Sequence, residues 1–240
     1  MTFGYGPGAA PDGYSEEVLK TKEAEDCLIP MGITSENVAA DFGIGRAEQD
    51  AFAAQSFQKA AAAQKAGKFR AEIVPVQTTV IDPKTEQARP VLVDADDGIR
   101  EGVTPESLAK LKPAFAKTGT THAGNASQVS DGAAAVLLTR RSVAKRLGLP
   151  VLGKWVAGAV VGVPPRIMGI GPAVAIPRVL EKTGLTKEDV DFYEINEAFA
   201  SQAVYSIKSI GIPFEKVNKH GGAIAMGHPL GCSKLIPFRR

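Results

Sequence analysis

Two short stretches of the sequence concentrate residue types that move protons and hold polarised oxygens. Asn196-Glu197-Ala198-Phe199-Ala200 places a carboxamide and a carboxylate where a helix is expected to open. Gly221-Gly222-Ala223-Ile224-Ala225-Met226-Gly227-His228-Pro229-Leu230-Gly231 sets one histidine in a glycine-punctuated loop. An imidazole takes up or gives a proton near neutral pH, and flanking glycines let the backbone approach a ligand closely. Cys232 follows His228 in the same loop, at a possible helix N-terminus where a thiol pKa would be lowered, so its position alone would nominate it as a nucleophile. Ser201 with His228 is a second nucleophile–base pairing, but the Gly-x-Ser-x-Gly elbow of an α/β hydrolase is absent. Taken singly, these residues also have bland assignments. A histidine in a glycine-rich loop, like His122 or His220, is by default structural or on the surface, and Asn196 reads as an ordinary N-cap. Glu197 reads as a favourable negative charge at a helix start rather than a catalytic base.

The elements that must position these groups follow from the apolar pattern. A strong alanine-rich helix is predicted from about Arg46 to Ala66, with Phe52, Phe57 and Ala60 toward one side and Gly67 as its stop. Glu72-Ile73-Val74-Pro75-Val76 and Pro90-Val91-Leu92-Val93 read as strands separated by an Asp82-Pro83-Lys84-Thr85 turn. This loop-rich first part reads as a lid on a core domain. Beyond Gly124 the pattern is regular: a strand over 133–138, a helix from Arg140 to Leu147 stopped by Gly148, and a strand over 151–156. A helix then runs from Pro172 to Thr183, interrupted by Pro177 and capped by Gly184. A capping box at Thr186-Lys187-Glu188-Asp189, a strand over 190–195 and a helix from Ala198 to Ile210 complete the pattern. Strands alternating with helices at this spacing predict a layered α/β architecture.

Composition narrows the function classes. The chain has 240 residues, 44% apolar and 22% charged, which is ordinary for a globular protein of one large or two small domains. Twenty-eight basic against 26 acidic residues leave a charge of +2, which gives no argument for nucleic acid or a membrane surface. No apolar run approaches the ~20 residues of a membrane span, and Met1-Thr2-Phe3-Gly4-Tyr5-Gly6 lacks the basic and apolar regions of a secretory signal. Two cysteines fit a reducing compartment, and three scattered histidines with two distant cysteines supply no metal-ligand spacing.

Several separate blocks, in order, resemble the thiolase family, and most closely 3-ketoacyl-CoA thiolases of the peroxisomal type. They are Cys27-Leu28-Ile29-Pro30-Met31-Gly32-Ile33-Thr34, Glu36-Asn37-Val38-Ala39, Ala123-Gly124-Asn125-Ala126-Ser127, Gly162-Val163-Pro164-Pro165, Met168-Gly169-Ile170-Gly171-Pro172, the Asn196 block and Gly227-His228-Pro229. The resemblance implies a thiolase-like layered α/β fold with a loop-rich lid inserted. The domains expected are a lid over 1–127, the end of an N-terminal domain over 128–150 and a C-terminal domain over 151–240. It implies thiolytic cleavage of 3-ketoacyl-CoA in fatty acid β-oxidation, with coenzyme A as a substrate, no further cofactor and no metal. A homodimer and a peroxisomal location are implied as well, with the mitochondrion or cytoplasm as the alternative setting.

By the same resemblance, His228 helps to generate a thiolate and donates to the thioester oxygen, and Asn196 fixes a water that completes that oxyanion site. Met31 and Met168 would line the acyl and pantetheine tunnel, Ser127 would bond the pantetheine arm, Phe199 would wall the pocket and Lys112 would sit near the CoA phosphates. The family's nucleophilic and acid/base cysteines lie in blocks that match neither Cys27 nor Cys232, so Cys27 is expected to pack. This implies a fold present only in part and a chain inactive by itself. Ser233-Lys234-Leu235-Ile236-Pro237-Phe238-Arg239-Arg240 departs from the family pattern, Pro237 opposes helix continuation, and the 133–138 strand is expected to leave apolar surface uncovered. The alternative is a non-catalytic thiolase-like protein that binds acyl-CoA or a full-length subunit.

Overall fold

A computed structural model describes residues 16–234. Helices α1 (Lys22–Asp26), α2 (Met31–Phe42) and α3 (Arg46–Lys65) lead into a hairpin of strands β1 (Val76–Ile81) and β2 (Ala88–Val93). Helices α4 (Pro105–Ala109), α5 (Arg141–Arg146), α6 (Gly171–Thr183), α7 (Ala200–Ile210) and α8 (Ala223–Met226) follow. The readings made above for Met1–Gly6 and Pro237 lie outside the described residues.

Small side chains explain why α3 and α7 meet at the centre. Ala53, Ala60, Ala200 and Ala203 are fully buried, so the helices approach closely, while Phe52, Phe57, Val204 and Ile207 fill the space between them. α8 packs on α3, and α2 and α6 pack on α7. The helix stops predicted at Gly67, Gly148 and Gly184 have φ of +70°, +64° and +68°, the left-handed turn that ends a helix.

The strands fared differently. β1 begins at Val76, where the predicted strand ends, because Pro75 has no N–H for a ladder; β2 covers the predicted Pro90–Val93. The two pair antiparallel from Val76↔Val93 to Ile81↔Ala88, and the Asp82 carboxylate caps their turn by accepting from Lys84 N and Thr85 N at 2.8 and 3.1 Å. Residues 133–138 and 151–156 form no strand and stand exposed, with Leu137 and Leu152 both at 77%. Apolar content marked these runs, but a strand exists only with a neighbour for its N–H and C=O groups, and none pairs with them among the described residues. The strand expected over 190–195 shrinks to one parallel bridge between Tyr193 and Val217. Thr186 and Asp189 do bond as a capping pair, at 2.8 and 2.9 Å, yet only a turn follows.

A buried polar network fastens α3 to the loop that precedes Ser127. His122 is fully buried; its Nδ1 accepts from Gly124 N at 3.0 Å, so Nε2 carries the proton and donates to Asp50 Oδ1 at 2.7 Å. Asp50 also accepts from Asn125 Nδ2 at 3.0 Å and Arg46 Nε at 2.8 Å. Burial lowers the His122 pKa from the ordinary 6.5, against the opposing pull of Asp50. A lowered imidazole pKa means that the unfolded chain takes up the proton first as pH falls, so this contribution is complete above the ordinary value and is lost below it. The stability difference between the parent and His122→Gln is therefore expected to narrow as the pH falls below the ordinary 6.5. Paired thermal melts check it, and a gap that is constant with pH would contradict it.

Candidate active site

Asn196 and His228 reach the surface on segments locked together from below. Tyr193 N donates to Lys216 O at 2.8 Å and Asn218 N to Tyr193 O at 2.9 Å. Beyond that bridge the Asn218 side chain replaces a backbone neighbour: its Oδ1 accepts from Ile195 N and its Nδ2 donates to Ile195 O, both at 2.8 Å. Asn218 sits at φ +47°, a conformation asparagine tolerates. Its Nδ2 also donates to Glu197 Oε1 at 2.7 Å, and Glu197 Oε2 accepts from Ser56 Oγ at 2.6 Å and Ile224 N at 3.2 Å. One buried carboxylate thus ties the Asn196 segment to α3 and to α8, the helix that hands the chain to His228 through Gly227. Gly222 must lack a side chain because a Cβ there would run into that carboxylate. Burial pushes the Glu197 carboxyl above the ordinary carboxylate range, against its hydrogen bonds and the nearby Lys59 charge.

These contacts correct two local expectations. Helix α7 starts at Ala200 with Phe199 as N-cap, so Asn196 neither opens nor caps it. Glu197 is a buried three-donor acceptor rather than a charge at that helix's start.

On the other side, residues 126–129 thread between the two site segments. Ala126 bridges Phe199, Val129 bridges His228, Ser127 N donates to Ala198 O at 2.9 Å and His228 N to Gln128 O at 2.8 Å. The side chains of Asn196 and His228 consequently meet, Nδ2 to Nε2, at 3.4 Å. His228 Nδ1 lies 2.7 Å from Ser233 Oγ. Asn196 is exposed and His228 half-buried, and burial lowers the imidazole pKa, which disfavours a charged ring beside the neutral amide. Such a pair can accept a proton at Nε2 and, once protonated, hold a developing negative oxygen together with the amide.

The structure brings Ser127 and Phe199 to the same place through those backbone contacts. Phe199 stacks edge-on against Phe115 with ring centroids 6.3 Å apart. Phe115 packs on α2 at Gly32, so an aromatic pair joins Phe199 to that helix, on which Met31 is half-exposed. Met168 is half-exposed on the 3-10 turn Pro165–Ile170, which packs on α2. Lys112 is exposed on the chain after α4. Phe115, Ser56, Asn218 and Ser233 escaped the sequence reading; Gly32 and Gly222, glycines facing a ring and a carboxylate, were its available signals.

The competing nucleophiles fall away. Ser201 is fully buried and bonds Ser35 Oγ at 2.7 Å rather than His228. Burial raises the Cys232 thiol pKa, opposite to the lowering expected from its position. Cys27 is exposed at the C-cap of α1, its thiol donating to Glu23 O at 3.3 Å, so the packing role expected of it is not what the structure shows.

Residues 7–142 match the family model described as thiolase, N-terminal domain, and residues 149–235 that described as thiolase, C-terminal domain. The chain is 61% identical over 238 residues to the peroxisomal 3-ketoacyl-CoA thiolase of Yarrowia lipolytica, covering 99% of this chain and 57% of that protein. It is 62% identical over 223 residues to the human peroxisomal 3-ketoacyl-CoA thiolase, covering 93% of this chain and 52% of the relative. The chain therefore spans about half the length of the curated relatives it matches. Among solved structures, the dimeric peroxisomal thiolase of Saccharomyces cerevisiae superposes with a TM-score of 0.87 at 55% identity, over 96% of this chain and 58% of that one. The acetyl-CoA acetyltransferase of Bacillus anthracis superposes with a TM-score of 0.81 at 42% identity, over 88% of this chain and 52% of that one. The α/β class rests on these superpositions, since the sheet among the described residues is a single hairpin.

Proposed function

The chain belongs to the thiolase family, and from that premise we propose that its residues serve acyl transfer at a coenzyme A thioester. The reaction is thiolytic cleavage of a 3-ketoacyl-CoA by coenzyme A, giving acetyl-CoA and a shortened acyl-CoA in fatty acid β-oxidation. The observation that carries this reading is the 3.4 Å approach of Asn196 Nδ2 to His228 Nε2 at the mouth of the site. A thiol that attacks the acyl carbon gives its proton to Nε2. The resulting imidazolium then donates to the thioester oxygen, with Asn196 supporting that oxygen through a water. Phe199, Phe115 and Met31 are assigned to the apolar acyl chain. Ser127 and Met168 are assigned to the pantetheine arm, and Lys112 to the phosphates as an exposed cation on the approach.

This chain supplies the oxygen-holding half of that chemistry. Neither of its cysteines is placed for the attack: burial raises the Cys232 pKa, and Cys27 sits at the C-cap of α1 with its thiol turned to Glu23 O. The lid over 1–127, the segment over 128–150 and the C-terminal domain over 151–240 are proposed as the functional divisions. A peroxisomal setting is supported by the names of the relatives, and a homodimer by the dimeric yeast structure. The second reading, a non-catalytic thiolase-like protein that binds acyl-CoA or pairs with a full-length subunit, is favoured by those same cysteines and by the bare apolar runs over 133–138 and 151–156.

Calorimetric titration with acetyl-CoA tests the shared core of both readings. His228→Ala and Asn196→Ala are each expected to weaken binding by about 1–1.5 kcal/mol, roughly fivefold to tenfold, and to be less than additive in combination. Binding that ignores both substitutions would overturn the assignment.

A further inference from the structure

His228 has two ring nitrogens, and only one can be the acceptor in the neutral ring. Its Nε2 faces Asn196 Nδ2 at 3.4 Å, and an amide nitrogen has only protons to offer, so Nε2 presents its lone pair. The proton must then sit on Nδ1, which points at Ser233 Oγ, 2.7 Å away and able to accept. His122 in the same chain is arranged the opposite way, with Nδ1 accepting from Gly124 N at 3.0 Å and Nε2 donating to Asp50. These contacts suit opposite tautomers in the two histidines: Gly124 N at Nδ1 sets that of His122, whereas Asn196 Nδ2 at Nε2 and Ser233 Oγ at Nδ1 together suit Nδ1–H in His228.

We propose that Ser233 is a positioning residue that locks His228 in the Nδ1–H tautomer, leaving Nε2 free to take a proton from an attacking thiol. The step balances simply: the S–H proton moves to the Nε2 lone pair, the sulfur keeps the electron pair for the new carbon–sulfur bond, and Nδ1–H stays bonded to Ser233. Without the serine acceptor Nδ1–H has no partner, Asn196 alone opposes the Nε2–H form, and that form gains ground, so the nitrogen facing the site becomes a donor before any proton has been received. The 3-10 turn Cys232–Lys234 sets the serine in place, with Ser233 N donating to Leu230 O at 3.1 Å. The use made of the freed lone pair rests on the acyl-transfer reading, whereas the tautomer itself does not.

The test is a long-range proton–nitrogen correlation spectrum of the chain labelled with 15N-histidine, with His228 assigned by its loss in His228→Gln. The parent should show protonated Nδ1 and unprotonated Nε2 at His228; Ser233→Ala should reverse the dominant form, and Ser233→Thr should restore it. His122 must remain in the Nε2–H form throughout, which separates loss of the lock from loss of the fold. An Nε2–H form of His228 in the parent, or an unchanged tautomer in Ser233→Ala with His122 intact, overturns the proposal. Acetyl-CoA added to the same samples distinguishes the two readings: a correct tautomer with no response of His228 to ligand sinks the acyl-transfer reading alone.

Discussion

Purified by itself, the 240-residue chain should leave acetoacetyl-CoA uncleaved by coenzyme A, at a rate about six orders of magnitude below that of a competent thiolase. The size of the deficit follows from what a nucleophile contributes: without a group that forms the covalent acyl intermediate, the oxyanion donors and the binding surface retain only a residue of the catalysis. Cys232 is the one thiol in the site's own loop, and burial makes it a poorer thiolate rather than a better one. A Cys232→Ser variant should accordingly behave like the parent in the thiolysis assay, followed by loss of the enolate absorbance. Turnover within about a hundredfold of a thiolase, abolished by Cys232→Ser, would make Cys232 the nucleophile and reverse the assignment.

The second large effect concerns stability. Removing the Glu197 side chain leaves Ser56 Oγ, Asn218 Nδ2 and Ile224 N without their acceptor in a region closed to water. Each stranded donor costs about 1–3 kcal/mol, so Glu197→Ala should lower unfolding stability by about 3–5 kcal/mol after local relaxation. Glu197→Gln keeps one oxygen, loses a buried charge that is itself costly, and turns an N–H toward groups that need an acceptor; its loss should fall between parent and alanine. Urea titrations decide this, and an alanine variant within about 0.5 kcal/mol of the parent would show that the carboxylate does not hold the two site segments together.

What could be read from the sequence was whatever depends on near neighbours. Helix α3 and its stop at Gly67, or α6 and its stop at Gly184, need only a run of helix formers and a residue free to take positive φ. The strands over 133–138 and 151–156 were misjudged because apolar content says nothing about whether a backbone neighbour is at hand. The same distinction separates Asn196 and His228 from Glu197. The first two stand in blocks whose residue order is distinctive, while the Glu197 partners Ser56, Asn218 and Ile224 lie 141, 21 and 27 residues away in the chain. Nothing local could have distinguished a buried clasp from an exposed helix-start charge. Ser233 is only five residues from His228, but which ring nitrogen it meets depends on the turn between them.

In the proposed site the Nε2 of His228 and the amide of Asn196 act on one thioester oxygen. Infrared difference spectra of acetyl-CoA labelled with 13C at the thioester carbonyl read that oxygen directly. On binding to the parent chain at a pH acid enough to protonate His228 Nε2, the carbonyl stretch should move to lower frequency, with the shift reduced in Asn196→Ala, lost in His228→Ala, and fading as the pH rises and Nε2 regains its lone pair. A bound thioester whose stretch stays at its solution position, or shifts equally in all three proteins, would contradict the claim.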